Sequence, residues 1–145
     1  MTDTVSACLD VYQGATFRVP LVRMIIPYAA REECGRYVNA DTGAPVPDAD
    51  MHPEDYTGCA ARMQIRVDGC GGPTLLELST ANGGIELVGD TMWLVVEVAQ
   101  IAALFIVAKA AGVASLVGHA EVTRPSGDVE RQYELTFVLH CGGNQ

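Results

Sequence analysis

Hydrophobic and polar residues alternate along most of the second half of the chain, which is the pattern of half-buried β-strands. The clearest case runs from Cys59 to Val67, where apolar residues take every second position and Arg62, Gln64 and Arg66 lie between them. Such a strand has one face on a core and the other in solvent. The same pattern, with β-branched residues, predicts further strands at about 9–12, 16–26, 75–79, 85–88, 92–98, 113–123 and 129–140.

One stretch instead has helical spacing. Between Val98 and Ala111 the apolar residues Ile101, Leu104, Phe105 and Ala108 recur at intervals of three and four, and Gly112 follows as a stop signal. We therefore predict one short helix that covers one end of the sheets. The glycine clusters at 69–72 and 83–84 lack the spacing of a phosphate-binding loop or a dinucleotide fingerprint, so we interpret both as turns.

The segment from Pro27 to Thr57 has no sustained period and contains four prolines. Loops longer than about 12–15 residues usually carry function or are disordered, so this segment is a candidate interaction site. Short strands joined by turns, with one brief helix, predict a mainly all-β fold. We expect an antiparallel immunoglobulin-like β-sandwich of seven or eight strands. A single domain would span residues 1–145, with a long irregular loop inserted at about 27–57.

The chain has 145 residues and a formal net charge of −9, which disfavours nucleic acid and anionic membranes as partners, because both attract cationic surfaces. No basic, apolar leader opens the sequence, and no stretch is apolar enough to span a bilayer, so we expect neither secretion nor membrane insertion. Five scattered cysteines without a C-x-x-C pair favour assembly in a reducing cytoplasm.

Metal binding is the alternative function, because the stretch 48–55 combines four carboxylates with His52. Carboxylate oxygens are calcium ligands, but the spacing departs from that of a calcium-binding loop, so we favour a solvated acidic segment. We predict no metal and no cofactor. The weak metal-ligand candidates are Asp48, Asp50, Glu54 and Asp55.

Neither zinc binding nor catalysis has a recognisable motif. The histidines and cysteines do not form close ligand pairs, Cys59 fits a small buried apolar residue, and no nucleophile, base and orienting group form a set. We therefore predict that the protein is not an enzyme. Trp93 and Tyr133 are either interface anchors or core residues. The zinc and thiol candidates considered are His52, His119, His140, Cys34, Cys59, Cys70 and Cys141.

Four segments in order carry a family resemblance: Tyr12 to Phe17 (YQGATF), Tyr56 to Arg66 (YTGCAARMQIR), Leu75 to Leu78 (LLEL) and Val122 to Val129 (VTRPSGDV). They resemble small virion proteins of tailed bacteriophages whose immunoglobulin-like sandwich is similar to the N-terminal domain of baseplate upper proteins. The long stretch from 27 to 55 and the lack of a fibre region after the sandwich depart from that pattern.

The resemblance implies a non-enzymatic virion component that acts by protein–protein contacts. It would be an accessory or adaptor protein of the tail, baseplate or fibre attachment, or a capsid decoration (cement) protein. Its partners would be capsid, tail or fibre subunits and further copies of itself, in particles assembled in the host cytoplasm. The expected contact regions are the loop from Pro27 to Thr57 and Trp93.

Overall fold

The protein has a mainly β, sandwich-like fold with one helix, as predicted from the sequence. The computed structural model describes residues 4–68 and 72–141. Its helix is α1 (Val98–Ala111). The strands are β1 (Val5–Tyr12), β2 (Phe17–Val22), β3 (Met24–Ile25), β4 (Ala30–Glu33), β5 (Arg36–Asn39), β6 (His52–Pro53), β7 (Ala60–Arg66), β8 (Leu76–Ser79), β9 (Ile85–Val88), β10 (Thr91–Val96), β11 (Ser115–Thr123) and β12 (Val129–His140).

Two main sheets contain eight of these strands. The larger has five, in the order β1-β12-β11-β7-β8, and the smaller has three, in the order β2-β10-β9. The pairs are antiparallel except that β1 runs parallel to β12. The sequence-based expectation of an all-antiparallel sandwich is therefore wrong at this edge. Parallel pairing needs a long connection, and here almost the whole chain separates the two strands.

A single apolar core joins the two sheets. Met63, Leu116 and Leu135 from the larger sheet and Met92 and Leu94 from the smaller one are fully buried. Gly118 on β11 leaves room for this packing, since a Cβ atom there would lie 2.6 Å from the Met63 sulfur. Alternation along each strand thus places one face of each sheet in the core, as the sequence pattern predicts.

The helix has the predicted bounds and the predicted buried residues. Ile101, Leu104, Phe105 and Ala108 are buried, and Gly112 ends the helix in the left-handed conformation at φ +71°. The Glu97 backbone N–H donates to Gln100 Oε1 at 2.9 Å in a capping box, which fixes the start. Among the described residues no helix is long and apolar enough to cross a bilayer.

The insertion from 27 to 57 contains more regular structure than its sequence predicts. Strands β4 and β5 form a hairpin, residues Asp48–Asp50 form a 3₁₀ turn, and β3 pairs with β6. Cys34 and Gly35 both have positive φ, at +53° and +80°, which is the geometry of a tight hairpin turn. Cys-Gly differs from the usual Asn-Gly signal, so this hairpin was missed.

The predicted glycine turn at 69–72 lies mostly outside the described residues. Gly72, which is described, has φ +84°, as a turn glycine can. Asn82-Gly83-Gly84 does join β8 to β9, with Gly83 at φ +81°. The Asn82 side chain accepts hydrogen bonds from the backbone of Ser79 and Gly84, at 2.9 and 2.8 Å, which stabilises that turn.

Candidate interaction site

Two buried charged residues close the base of the insertion. Arg23 and Glu54, each 3% exposed, form an ion pair between Arg23 Nη1 and Glu54 Oε2 at 3.0 Å. The Glu54 backbone N–H also donates to the Arg23 carbonyl at 2.8 Å. The paired strands β3 and β6 lie next to this contact, on the side of the insertion. The insertion is therefore held at its two ends by a buried ion pair and a short ladder.

The same carboxylate connects the insertion to the hairpin between β11 and β12. Arg124 Nη1 lies 2.8 Å from Glu54 Oε1, and Arg124 Nη2 lies 2.9 Å from Glu130 Oε1. Gln132, fully buried, donates to Glu130 at 3.1 Å and accepts a hydrogen bond from the Tyr56 hydroxyl at 2.8 Å. We call these residues the polar cluster. Its members are Arg23, Glu54, Tyr56, Arg124, Glu130 and Gln132.

A β-bulge places Glu130 and Gln132 in this cluster. The β11–β12 register shifts between Ala120 and Glu121, so that Gln132 has no partner residue on β11. The extra residue puts Gln132 and Tyr133 both on the core side. Val129 is instead 61% exposed.

Strict alternation along β12 predicts Glu130 and Gln132 on the solvent face and Val129 on the core face. That prediction is wrong for this end of the strand. The available signal was Arg131, which occupies a position that strict alternation assigns to the apolar face between Val129 and Tyr133. A charged residue at a core position indicates a bulge or a shift of phase.

Burial and hydrogen bonds shift the pKa values of several groups within or beside the cluster. Desolvation raises the pKa of the Tyr56 hydroxyl, which therefore stays protonated as a hydrogen-bond donor. Desolvation likewise raises the pKa of Tyr133. Hydrogen bonds to Glu54 and Glu130 raise the pKa of Arg124 further above its already high value. The cluster is thus a fixed set of charges and donors, suited to holding chain segments together.

Acid should weaken the cluster through Glu130. The hydrogen bond from Arg124 holds the pKa of Glu130 below its ordinary value of 4.5. Because the folded-state pKa is the lower one, the stabilisation is complete above pH 4.5 and is lost as the pH falls through the folded-state value. In urea unfolding from about pH 5 to about pH 2, the variant Glu130→Gln should lose less stability than the native protein.

A control for this experiment is Glu32→Gln, which changes an exposed carboxylate of the insertion, outside the polar cluster. This variant should keep the native pH dependence of the free energy of unfolding. If the free energy of unfolding falls with pH equally in Glu130→Gln and in the native protein, the assigned role of Glu130 is contradicted.

The four metal-ligand candidates do not converge. Asp50 accepts a hydrogen bond from the Tyr28 hydroxyl at 2.7 Å, and Glu54 is occupied by two arginines. Asp55 accepts hydrogen bonds from the backbone and hydroxyl of Thr57, which lower its pKa, and Asp48 is exposed. Within residues 4–68 and 72–141 no three His, Cys, Asp or Glu side chains are grouped to hold a metal. No observation here favours the metal-binding alternative.

The cysteines and histidines are dispersed, and Cys70 lies outside the described residues. Cys59 is half-buried, with its sulfur 3.7 Å from Arg124 Nη1, and so borders the polar cluster as well as the core. His140 stacks on Tyr12 and lies 2.9 Å from Asp10 on the outer face of the larger sheet. His119 lies 3.7 Å from Glu134 on that same face.

Trp93 and Tyr133, the two aromatic candidates, have different environments. Tyr133 is 3% exposed and belongs to the core. Trp93 is half-buried on the outer face of the smaller sheet, and the Arg18 guanidinium carbon lies 4.0 Å from its ring centroid. Of the two candidates, only Trp93 is accessible to a partner.

The helix also presents apolar side chains to solvent. Ile106 is 71% exposed, and Val98 and Val107 are 44% and 37% exposed. A cavity of about 520 Å³ lies beside this surface, lined in part by Phe105, Val113 and Leu139. The apolar composition on both sides of α1 was visible in the sequence, where Lys109 is the only charged residue between Val98 and Ala111.

The insertion exposes acids next to a smaller cavity. Glu32, Glu33, Asp41 and Asp48 are all exposed. A cavity of about 90 Å³ lies between the insertion and β1, and Arg23, Tyr28 and Tyr37 contribute to its lining. The insertion therefore presents an acidic outer surface from a base that is fixed by buried ion pairs. Comparison of the sequence with protein family models and with curated proteins finds no match.

Proposed function

We propose that the protein is a non-enzymatic structural component of a tailed-phage virion that acts through protein–protein contacts. Its place would be as an accessory or adaptor protein in the tail, baseplate or fibre attachment, or as a capsid decoration protein. Its partners would be capsid, tail or fibre subunits and further copies of itself, in particles assembled in the host cytoplasm. The proposal rests on the resemblance of four segments to such proteins.

The observation that carries the proposal is that two of these segments, the one beginning at Tyr56 and the hairpin ending at Val129, meet in the fold. Gly58, from the Thr-Gly motif, has φ +74°, and a Cβ atom there would lie 2.9 Å from Pro125 of the Pro-Ser-Gly hairpin. Arg124 of that hairpin bonds Glu54 and the carbonyl of Asp55, just before the first motif residue Tyr56. The motif residues therefore support one another structurally, as expected of a shared scaffold rather than a catalytic site.

Three surfaces suit such a protein. The acidic insertion projects from a rigid base, and the outer faces of α1 and the smaller sheet expose large apolar residues. Exposed apolar patches on small proteins commonly mark interaction sites. Many identical weak contacts in a symmetric particle raise the effective concentration and hold each copy in place.

Quantitative mass spectrometry of purified phage particles tests the proposal. The protein should be present in a fixed ratio to the major capsid protein, and particle imaging should show its density on the head or the tail. Matched particles from a phage that lacks the gene provide the control and should lack that density. Absence of the protein from mature particles would contradict the proposal.

A further inference from the structure

The outer face of the smaller sheet is apolar around Trp93. Val22 on β2 and Val88 on β9 are 52% and 59% exposed, and both lie opposite Thr91 on β10. Trp93 itself lies between Pro20 and Glu86 in the sheet register. We call this surface the Trp93 face. Its residues are Arg18, Pro20, Val22, Glu86, Val88, Thr91, Trp93 and Val95.

The outer face of the larger sheet is very different. One row across four of its strands is polar, with Glu134, His119, Gln64 and Glu77 in successive register positions. Its solvent face is thus suited to water, whereas the Trp93 face presents valines, a proline and a tryptophan. Aromatic residues with apolar neighbours are typical of the energetic centre of an interface.

The charges of the Trp93 face are balanced. Arg18 and Glu86 are the only charged residues of β2, β9 and β10, although the whole chain carries −9. They lie on opposite sides of β10, and Arg18 Nη2 reaches Glu86 Oε2 at 3.7 Å across the Trp93 ring. Both side chains are about half exposed, so this pair contributes little to stability and can exchange partners.

We propose that the Trp93 face binds the Trp93 face of a second copy of this chain about a two-fold axis. An axis between the faces and parallel to β10 places β2 of each copy over β9 of the other. Each Arg18 then meets Glu86 of the other copy, and the two tryptophans bury each other. A face with one cation and one anion on opposite sides is complementary to itself, as a two-fold interface requires.

The two edges of the smaller sheet favour this face-to-face arrangement over edge-to-edge pairing. Pro20, in the middle of edge strand β2, has no N–H to donate to an added strand, and β9 at the other edge is only four residues long. A second copy therefore gains more from the flat Trp93 face than from extending the sheet. This inference deepens the proposed function, since it names one of the contacts by which the protein would act.

A charge-exchange experiment on the purified full-length chain tests the inference. Sedimentation equilibrium should show that the native protein dimerises. Arg18→Glu or Glu86→Arg should each weaken dimerisation about tenfold or more, because each places two like-charge contacts in the interface. A mixture of the two variants should regain dimers, because the carboxylates of one then meet the guanidinium groups of the other.

Arg62→Glu is the control, since it reverses an exposed charge of the larger sheet that is paired with Glu121 at 3.8 Å. It should dimerise like the native protein. Equal urea midpoints for all variants, measured at protein concentrations well below the dimer dissociation constant, would show that folding is intact. A protein that stays monomeric up to about 1 mM overturns the inference, as do dimers that both reversals leave unchanged.

The result is independent of the particle experiment. If the protein is monomeric in solution and another virion protein covers the Trp93 face in particle images, the second copy is excluded while the virion role stands. If the protein dimerises as proposed but is absent from particles, the virion role fails and the dimer remains.

Discussion

Replacing Glu54 with alanine should lower the free energy of unfolding by about 3–5 kcal/mol, because it removes the buried carboxylate that pairs with two arginines. The Glu54 carboxylate lies 3.0 Å from Arg23 Nη1 and 2.8 Å from Arg124 Nη1, and only 3% of it is exposed. Urea unfolding monitored by tryptophan fluorescence measures the change. Hydrogen exchange should rise most in β3 and β6, since Glu54 closes the base of the insertion.

Glu121→Ala is the matched control for this prediction. It removes a carboxylate that is 38% exposed and lies 3.8 Å from Arg62, in an ion pair of the kind that contributes about 0–1 kcal/mol. If Glu54→Ala and Glu121→Ala lower the free energy of unfolding equally, the Glu54 ion pairs do not stabilise the base of the insertion.

Ile101→Ala should lower the free energy of unfolding by about 2–5 kcal/mol, because it leaves a cavity beneath α1. Ile101 is fully buried, whereas Ile106, five residues later on the same helix, is 71% exposed. Ile106→Ala is therefore a control with identical chemistry and should change stability by less than about 0.5 kcal/mol. The same urea titration compares them.

Similar losses for the two isoleucine variants would contradict the assigned orientation of the helix. A large loss at Ile106 alone would place the core on the opposite side of α1. Either result would also remove the apolar surface that α1 contributes to the proposed contacts.

The bounds of α1 and β12 could be predicted because the sequence features that determine them lie within or next to each element. The helix has both the bounds and the buried face that its sequence indicates, and β12 spans the residues predicted for it. Such elements are determined by spacing and by a nearby stop such as Gly112. The paired ends of the chain were not predictable, because nothing in β1 alone indicates that it pairs with β12.

The polar cluster was also beyond sequence reasoning, for a different reason. Glu54 was considered as a metal ligand because its neighbours in sequence are acids. Its real partners, Arg23 and Arg124, are 31 and 70 residues away. A β-bulge then places the Gln132 side chain on the core side of β12, although strict alternation assigns it to the solvent face. Charges brought together by tertiary folding leave no periodic pattern. Trp93, by contrast, was identified by residue type alone as a candidate contact, and it does lie on an accessible face.

The parallel pairing of β1 with β12 has a consequence for synthesis of the protein. Val5 pairs with Tyr133 and Tyr12 with His140, so β1 has no partner in its sheet until β12 has left the ribosome. Closing so long a loop is slow relative to forming hairpins. During translation β1 would remain an unpaired strand with the apolar residues Leu9 and Val11, open to pairing with other nascent chains. Efficient folding of this protein therefore depends on keeping its first strand apart from other nascent chains until its last is made.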